Sequence, residues 1–227
     1  MNALLLSAGE GLRMRPLTDK LPKPLLQMAG QTLIERHLYN LRDSGFKRVV
    51  INLHYLGEKL LSALGNGDRY GLDIQYSHEP SLLDTGGGAK AALALLGDQP
   101  FAMISSDVYS DFSFRLLRNL NLDKSLGHLI LVPNPAHHPT GDFSLIDDLV
   151  GNDGERHTFS GISVLHPQLL SISDSRVFPI RDVLRPAAAE GRLSGQLYKG
   201  AWSDVGTPSR LKVLEESLLK ANEVRRK

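Results

Sequence analysis

"LLLSAGEGLRMRPLT", residues 4–18, opens with three leucines and passes at once into a turn holding two glycines and two arginines. Lys20 and Lys23 follow closely. A short apolar run bounded by turn residues fits a strand buried on both faces. Glycines let backbone N–H groups approach an anion, and the flanking cations attract one, so the turn is suited to phosphate. Spacing excludes two common phosphate loops. A Walker loop, G-x-x-x-x-G-K-[S/T], occurs nowhere in the chain. A dinucleotide fingerprint would need glycine where Met14 stands and a helix opening at once, whereas Pro16 and the arginines favour a long loop.

Outward from this turn, strands and helices alternate. Ala3–Leu6 reads as the first strand, and Thr32 and Glu35 have the spacing of a capping box. Ile34, Leu38 and Leu41 then recur at helical spacing until Gly45. Val49–Ile51 is a second apolar strand, Leu60, Leu61 and Leu64 mark a short helix ending near Gly65, and residues 72–77 a third strand. "TGGGAKAALALLG" (85–97) opens with glycines and turns into a helix; "PFAMISSD" (100–107) is a strand ending in Asp107. This order predicts an α/β fold, a Rossmann-like, doubly wound, mostly parallel sheet whose ligand sits at the strands' carboxyl ends.

The second half is less regular. Residues 129–132 read as a strand, 141–165 as alternating strand and turn pieces, and 179–190 as a helix. "WSDVG" (202–206) ends a strand, after which Thr207 caps a last helix begun by Pro208, with Leu211, Leu214 and Leu218 facing inward. The terminal "EVRRK" (223–227) reads as a solvated helix end. No linker or repeat interrupts residues 1–227, so one domain is expected, with a nucleotide-binding half over residues 1–110 and an elaborated, sugar-binding half over 111–227.

Composition bounds the function. A net charge of +1 gives no reason to expect nucleic-acid or membrane binding. The absence of cysteine excludes disulfides, thiolate metal sites and cysteine nucleophiles. The apolar run at the N-terminus is too short for a signal peptide or a membrane span, so a cytoplasmic location is expected.

The pattern Gly9, Gly11, Arg13, Pro16-Leu17-Thr18, Pro22-Lys23-Pro24-Leu25 resembles the signature of the sugar-phosphate nucleotidyltransferases. These enzymes join a nucleoside triphosphate to a sugar 1-phosphate and release pyrophosphate. "TGGGAKA", "SSD" and "WSDVGTP" are similar to the family's second nucleotide loop, strand-end metal aspartate and closing motif, so the resemblance spans essentially the whole chain. Gly141-Asp142-Phe143 and "FSGISVLHP" (159–167) resemble the branch that transfers uridylate to N-acetylmuramic acid 1-phosphate in peptidoglycan recycling.

The resemblance implies UTP and a sugar 1-phosphate as partners and Mg²⁺ as cofactor. It implies Arg13 and Lys23 at the reacting phosphates, with Ala8, Gly9, Gly11, Leu12, Gly86, Gly87 and Ser105 on the nucleotide. Asp142, Ser160, Gly161 and Lys199 are implied for the sugar, and Asp107 and Asp204 for the metal. The chemistry accords with these types. A phosphate monoester loses its second proton near pH ~6, so the nucleophile is already ionised and needs no general base. Positioning and charge neutralisation remain, and planar guanidinium, fixed ammonium and hard carboxylate oxygens supply them.

Arg15 reads equally as structural, and His137-His138 lacks metal-ligand spacing and reads as a solvated or sugar-side loop. Ser105-Ser106 departs from the family's usual Asn-Gly, which puts the backbone shape before Asp107 in question. A different sugar 1-phosphate with GTP, dTTP or UTP is the alternative substrate reading. A non-catalytic sensor of the same fold would be expected to lack Lys23 or a metal aspartate, and here all are present.

Overall fold

The computed structural model describes residues 1–225. Of the EVRRK terminus, residues 226–227 and the side chains from residue 222 onward lie outside the described residues. The first half runs β1 (Ala3–Leu6), β2 (Gln27–Met28), β3 (Gln31–Thr32), α1 (Leu33–Asp43), β4 (Arg48–Leu53), α2 (Gly57–Leu64), β5 (Asp73–His78), α3 (Asp84–Leu96), β6 (Phe101–Ser105) and β7 (Val108–Ser110). The second half runs α4 (Phe114–Arg118), β8 (Gly127–Val132), β9 (Phe143–Ile146), β10 (Leu149–Gly151), β11 (Arg156–Leu165), α5 (Arg181–Ala189), β12 (Leu193–Leu197), β13 (Trp202–Asp204) and α6 (Pro208–Arg225).

Nine strands form one sheet in the order β5-β4-β1-β6-β11-β8-β12-β10-β9. The first four are parallel, with β1 between β4 and β6. Their run of consecutive apolar residues follows from burial on both faces. Ala3 and Leu5 face one core cluster with Ile34, Leu38 and Leu41 of α1, while Leu4 faces the other with Ala89, Ala92 and Leu96 of α3. Neighbours on a strand point to opposite faces, so only a sheet covered by helices on both sides asks for unbroken hydrophobicity.

The expected helix signals are made. Thr32 accepts from the Glu35 N–H while Glu35 accepts from the Thr32 N–H, a reciprocal cap of about 1 kcal/mol. Thr207 Oγ1 accepts from the Arg210 N–H at the start of α6, and Leu211, Leu214 and Leu218 pack inward.

The unbroken run of parallel neighbours stops at β6, and beyond it, among the described residues, only β12 and β8 pair in parallel. β11 runs antiparallel to both β6 and β8, and β9 pairs with β10 and with the start of β11. Strands β11, β8, β12, β10 and β9 therefore close into a ring, the elaboration that the irregular second half of the sequence announced. No helix among the described residues is long and apolar enough to cross a membrane.

Candidate active site

The chain leaves β1 towards β4 and β5 on one side, then returns to place β6 on the other. A crevice opens at such a switch point, beyond the carboxyl ends of the strands. Here it is a cleft of about 510 Å³ lined by residues 6–14, Lys23, Pro24, Asn52, Asp84, Thr85, Ser105–Asp107 and Gly206. Ala8, Gly9, Gly11, Leu12, Arg13, Lys23, Ser105 and Asp107 thus meet as the sequence suggested.

The turn after β1 is held open by its own contacts. Gly11 takes a φ of 63°, and its carbonyl accepts from the Thr18 hydroxyl at 2.8 Å. A Cβ at Gly11 would stand 3.0 Å from Thr18 Cγ2, so both conformation and space favour glycine. Gly9 differs: nothing lies within 4 Å of where its Cβ would be, so the protein's own packing does not require glycine there. The open side is the cleft. Arg13 stands exposed on its wall, whereas Arg15 pairs with Asp19 at 3.3 Å on the surface, which is the structural reading.

Lys23, between two prolines in a 3-10 turn, is 8% exposed and its ammonium pairs with Asp107 Oδ2. Asp107 follows β6, and the short antiparallel ladder of β7 and β13 brings Asp204 beside it. Asp204 lies opposite Val108, and the Val205 N–H donates to the Asp107 carbonyl at 2.9 Å. Two acids nearly a hundred residues apart are thereby adjacent, each with a cation, Lys23 on one and Arg210 on the other. Among the described residues, no cluster of three or more His, Cys, Asp or Glu forms a metal cage.

Behind this ladder, His37 of α1 donates its Nε2–H to the Val108 carbonyl at 2.9 Å and stacks on Phe114. Burial pushes its pKa down to about 4, against the opposing effects of that hydrogen bond and of Asp107. Ser106 settles the question raised by the missing Asn-Gly. It does not take a positive φ, and its hydroxyl turns inward to donate to the Leu6 carbonyl, so a side chain fits there.

Gly86 and Gly87 have a packing role of their own. They lie inside the first turn of α3, outside the cleft lining, and their N–H groups donate to the Phe178 carbonyl at 2.9 and 3.0 Å. A Cβ at Gly86 would come within 2.3 Å of the Phe178 ring, and one at Gly87 within 2.3 Å of the Arg176 carbonyl. Close packing of residues 176–178 asks for glycine at both positions, and Asp84 and Thr85, just before them, line the cleft.

The four residues assigned to the sugar lie outside the cleft lining. Asp142 accepts from the Phe159 N–H at 2.8 Å and lies 3.1 Å from His138 Nε2, tying the 134–142 loop to β11. At Ser160-Gly161 the register of β11 slips, a bulge of the sort that re-aims a strand beside a site. The Ser160 hydroxyl is buried and accepts from the Ile162 N–H, while Gly161, at φ 80°, packs against Ser105. Lys199 is exposed and makes no ion pair among the described residues. Before it, Tyr198 donates to Asp111, and burial together with that carboxylate raises the phenol's pKa.

Residues 2–143 match the family described as nucleotidyl transferase. The chain belongs to that family. It is 45% identical to the N-acetylmuramate alpha-1-phosphate uridylyltransferase of Neisseria meningitidis serogroup B, over 93% of this chain and 96% of the relative. It is 31% identical to the enzyme of the same name from Caulobacter vibrioides, over 96% and 97% of the two chains. A solved UDP-glucose pyrophosphorylase in complex with UDP-glucose superposes with a TM-score of 0.76, covering 97% of this chain and 98% of that one. At 18% identity that likeness concerns the fold.

Two features of this nucleotidyltransferase site escaped the sequence. Asn52 accepts from the Ser7 N–H at 2.6 Å and donates to the buried Glu79, which also accepts from the Leu83 N–H. This relay joins the turn after β1 to the start of α3. The second is Arg210 with His137, both gathered at Asp204. One signal was available: Arg210 stands three residues after its N-cap, in the helix turn adjoining the acid.

Proposed function

We propose that this nucleotidyltransferase transfers uridylate from UTP to N-acetyl-α-D-muramic acid 1-phosphate, releasing pyrophosphate and yielding UDP-N-acetylmuramic acid. The carrying observation is the 45% identity to an enzyme of that name along nearly its whole length. The reading includes a cytoplasmic role in peptidoglycan recycling and a single domain whose halves hold nucleotide and sugar phosphate.

Mg²⁺ fits the acids present. Asp107 and Asp204 are adjacent, and Asp204 Oδ1 is buried with no hydrogen-bond partner. Two carboxylates and no cage suit an ion that keeps waters and takes phosphate oxygens as further ligands. Bound there, it would neutralise phosphate charge during the transfer.

The chain's own groups do the rest. The N–H groups of Gly9, Gly11 and Leu12 and the Arg13 guanidinium receive the triphosphate over the open Gly9 surface. Lys23 exchanges its contact with Asp107 for phosphate oxygens and holds the two anions together. A sugar-phosphate oxygen attacks the α-phosphorus while the bond to the β-phosphate breaks, and Arg13 takes up the charge on departing pyrophosphate. Ser105 holds the ribose or α-phosphate, and the 141–142 loop and the bulge at 160–161 flank the sugar. Lys199, exposed and unpaired, meets the lactyl carboxylate that distinguishes N-acetylmuramic acid from N-acetylglucosamine.

Pyrophosphate release with five triphosphates (ATP, CTP, GTP, UTP, dTTP) against the 1-phosphates of N-acetylmuramic acid, N-acetylglucosamine, mannose and glucose tests the assignment. UTP with N-acetylmuramic acid 1-phosphate is expected to give the highest kcat/KM. N-Acetylglucosamine 1-phosphate should be poorer by roughly tenfold, about 1.4 kcal/mol, the scale of one hydrogen bond to a charged group. A preference for mannose 1-phosphate with GTP, or glucose 1-phosphate with dTTP, would overturn the substrate and leave the family chemistry standing.

A further inference from the structure

The two oxygens of Asp204 have different surroundings. Oδ2 accepts from Arg210 Nη1, whereas Oδ1 is buried and has no hydrogen-bond partner. His137 Nε2 stands 3.1 Å from Oδ1 but does not serve it. That nitrogen is 2.7 Å from Arg210 Nη1, and a guanidinium has only protons to give, so Nε2 presents its lone pair to the arginine. A lone pair so engaged cannot donate to Oδ1. The free oxygen is therefore a consequence of where Arg210 points.

Arg210 is itself fixed at several atoms. Its backbone N–H and its Nε both lie within reach of Thr207 Oγ1, at 3.3 and 3.4 Å, while Nη1 bridges Asp204 and His137. Gly206 makes room for it: a Cβ there would come within 2.2 Å of Nη2. Gly206 also lines the cleft, so the guanidinium lies directly behind the cleft wall.

We propose that Arg210 is a positioning residue for the divalent cation: held by Thr207 and His137, it engages Asp204 Oδ2 and turns Oδ1 towards the metal. This rests on the Mg²⁺-dependent reading above. Carboxylates that ligate metals are commonly oriented by such outer partners, whose loss weakens metal affinity by roughly 10–100-fold. The planar fork matters beyond its charge, because one nitrogen serves two acceptors while another reaches Thr207.

The test is Mn²⁺ titration of the full chain with a saturating non-hydrolysable UTP analogue, following free Mn²⁺ by electron paramagnetic resonance. Analogue binding in EDTA is measured alongside as a check on the nucleotide site and the fold. Arg210→Ala is expected to weaken Mn²⁺ binding by roughly tenfold or more, with analogue affinity in EDTA unchanged. Arg210→Lys should recover only a minor part of that loss, and Arg210→Gln, which preserves bulk, serves if the alanine variant unfolds. Affinity within twofold of the parent, or tighter binding because a competing cation has gone, overturns the proposal. A parent chain that binds no Mn²⁺ beyond that held by the analogue overturns the metal reading itself, and the proposal falls with it.

Discussion

Acidification from pH 7.5 to 5 is expected to weaken the fold through His37, which joins α1 to the strand following Asp107. The imidazole is 5% exposed, and its pKa is pushed down to about 4 from an ordinary 6.5. Between these values the unfolded chain holds a proton on this side chain that the folded chain does not, so stability rises with pH. The neutral form is no handicap above pH 6.5; the loss begins as pH falls through 6.5 and is complete below 4. Linkage gives a loss of about 2 kcal/mol by pH 5, approaching about 3 kcal/mol below pH 4.

Urea unfolding of the metal-free protein at both pH values measures the loss, with His37→Gln as comparison. Glutamine offers Val108 an N–H donor but does not titrate in this range. His128, whose pKa is likewise lowered by burial, contributes in the same direction to both proteins and cancels in the difference. Glu35 has its pKa lowered from an already acidic value, so its contribution is lost only below this window. His37→Gln should show the smaller acid destabilisation by about 2 kcal/mol. Equal destabilisation in the two proteins would refute the account of His37 as a buried neutral group.

Two further perturbations follow from the cleft and its supports. Lys23→Ala should lower kcat roughly 100-fold or more, because the ammonium is called on most when the phosphates converge; a change confined to KM would mean uniform binding instead. Gly86→Ala places a methyl group against the Phe178 ring and should lower unfolding free energy by about 1–3 kcal/mol. An unchanged melting temperature would show that the 176–178 segment does not pack on α3 as described.

What the sequence determined by itself was whatever depends on neighbours along the chain. Short unbroken apolar runs at 3–6, 49–51 and 101–104, bounded by turn residues, read as strands covered on both faces, and they lie in the parallel part of the sheet. The Thr32–Glu35 and Thr207–Pro208 signals are satisfied within a single turn, so spacing alone revealed both helix starts. The loop over residues 9–25 was legible for a related reason: glycine, arginine and a lysine between prolines are suited to phosphate by their own geometry, and the fold brings them to one cleft. Tertiary structure decided what depends on partners far along the chain. The three glycines of α3 have packing neighbours that no local pattern announced: residues 176–178 lie against Gly86 and Gly87, and Glu79 and Asn52 against Gly88. Arg210 stands close to Asp204 along the chain, but His137 comes from the loop between β8 and β9, and only tertiary folding brings it to the other two. The ring of the second half, antiparallel except where β12 runs beside β8, was likewise unreadable as to partners, because a strand's alternation shows which face is buried and not which strand lies beside it. Local patterns set the elements and the glycine–cation loop; the orientation of the acids at its edge came from long-range packing.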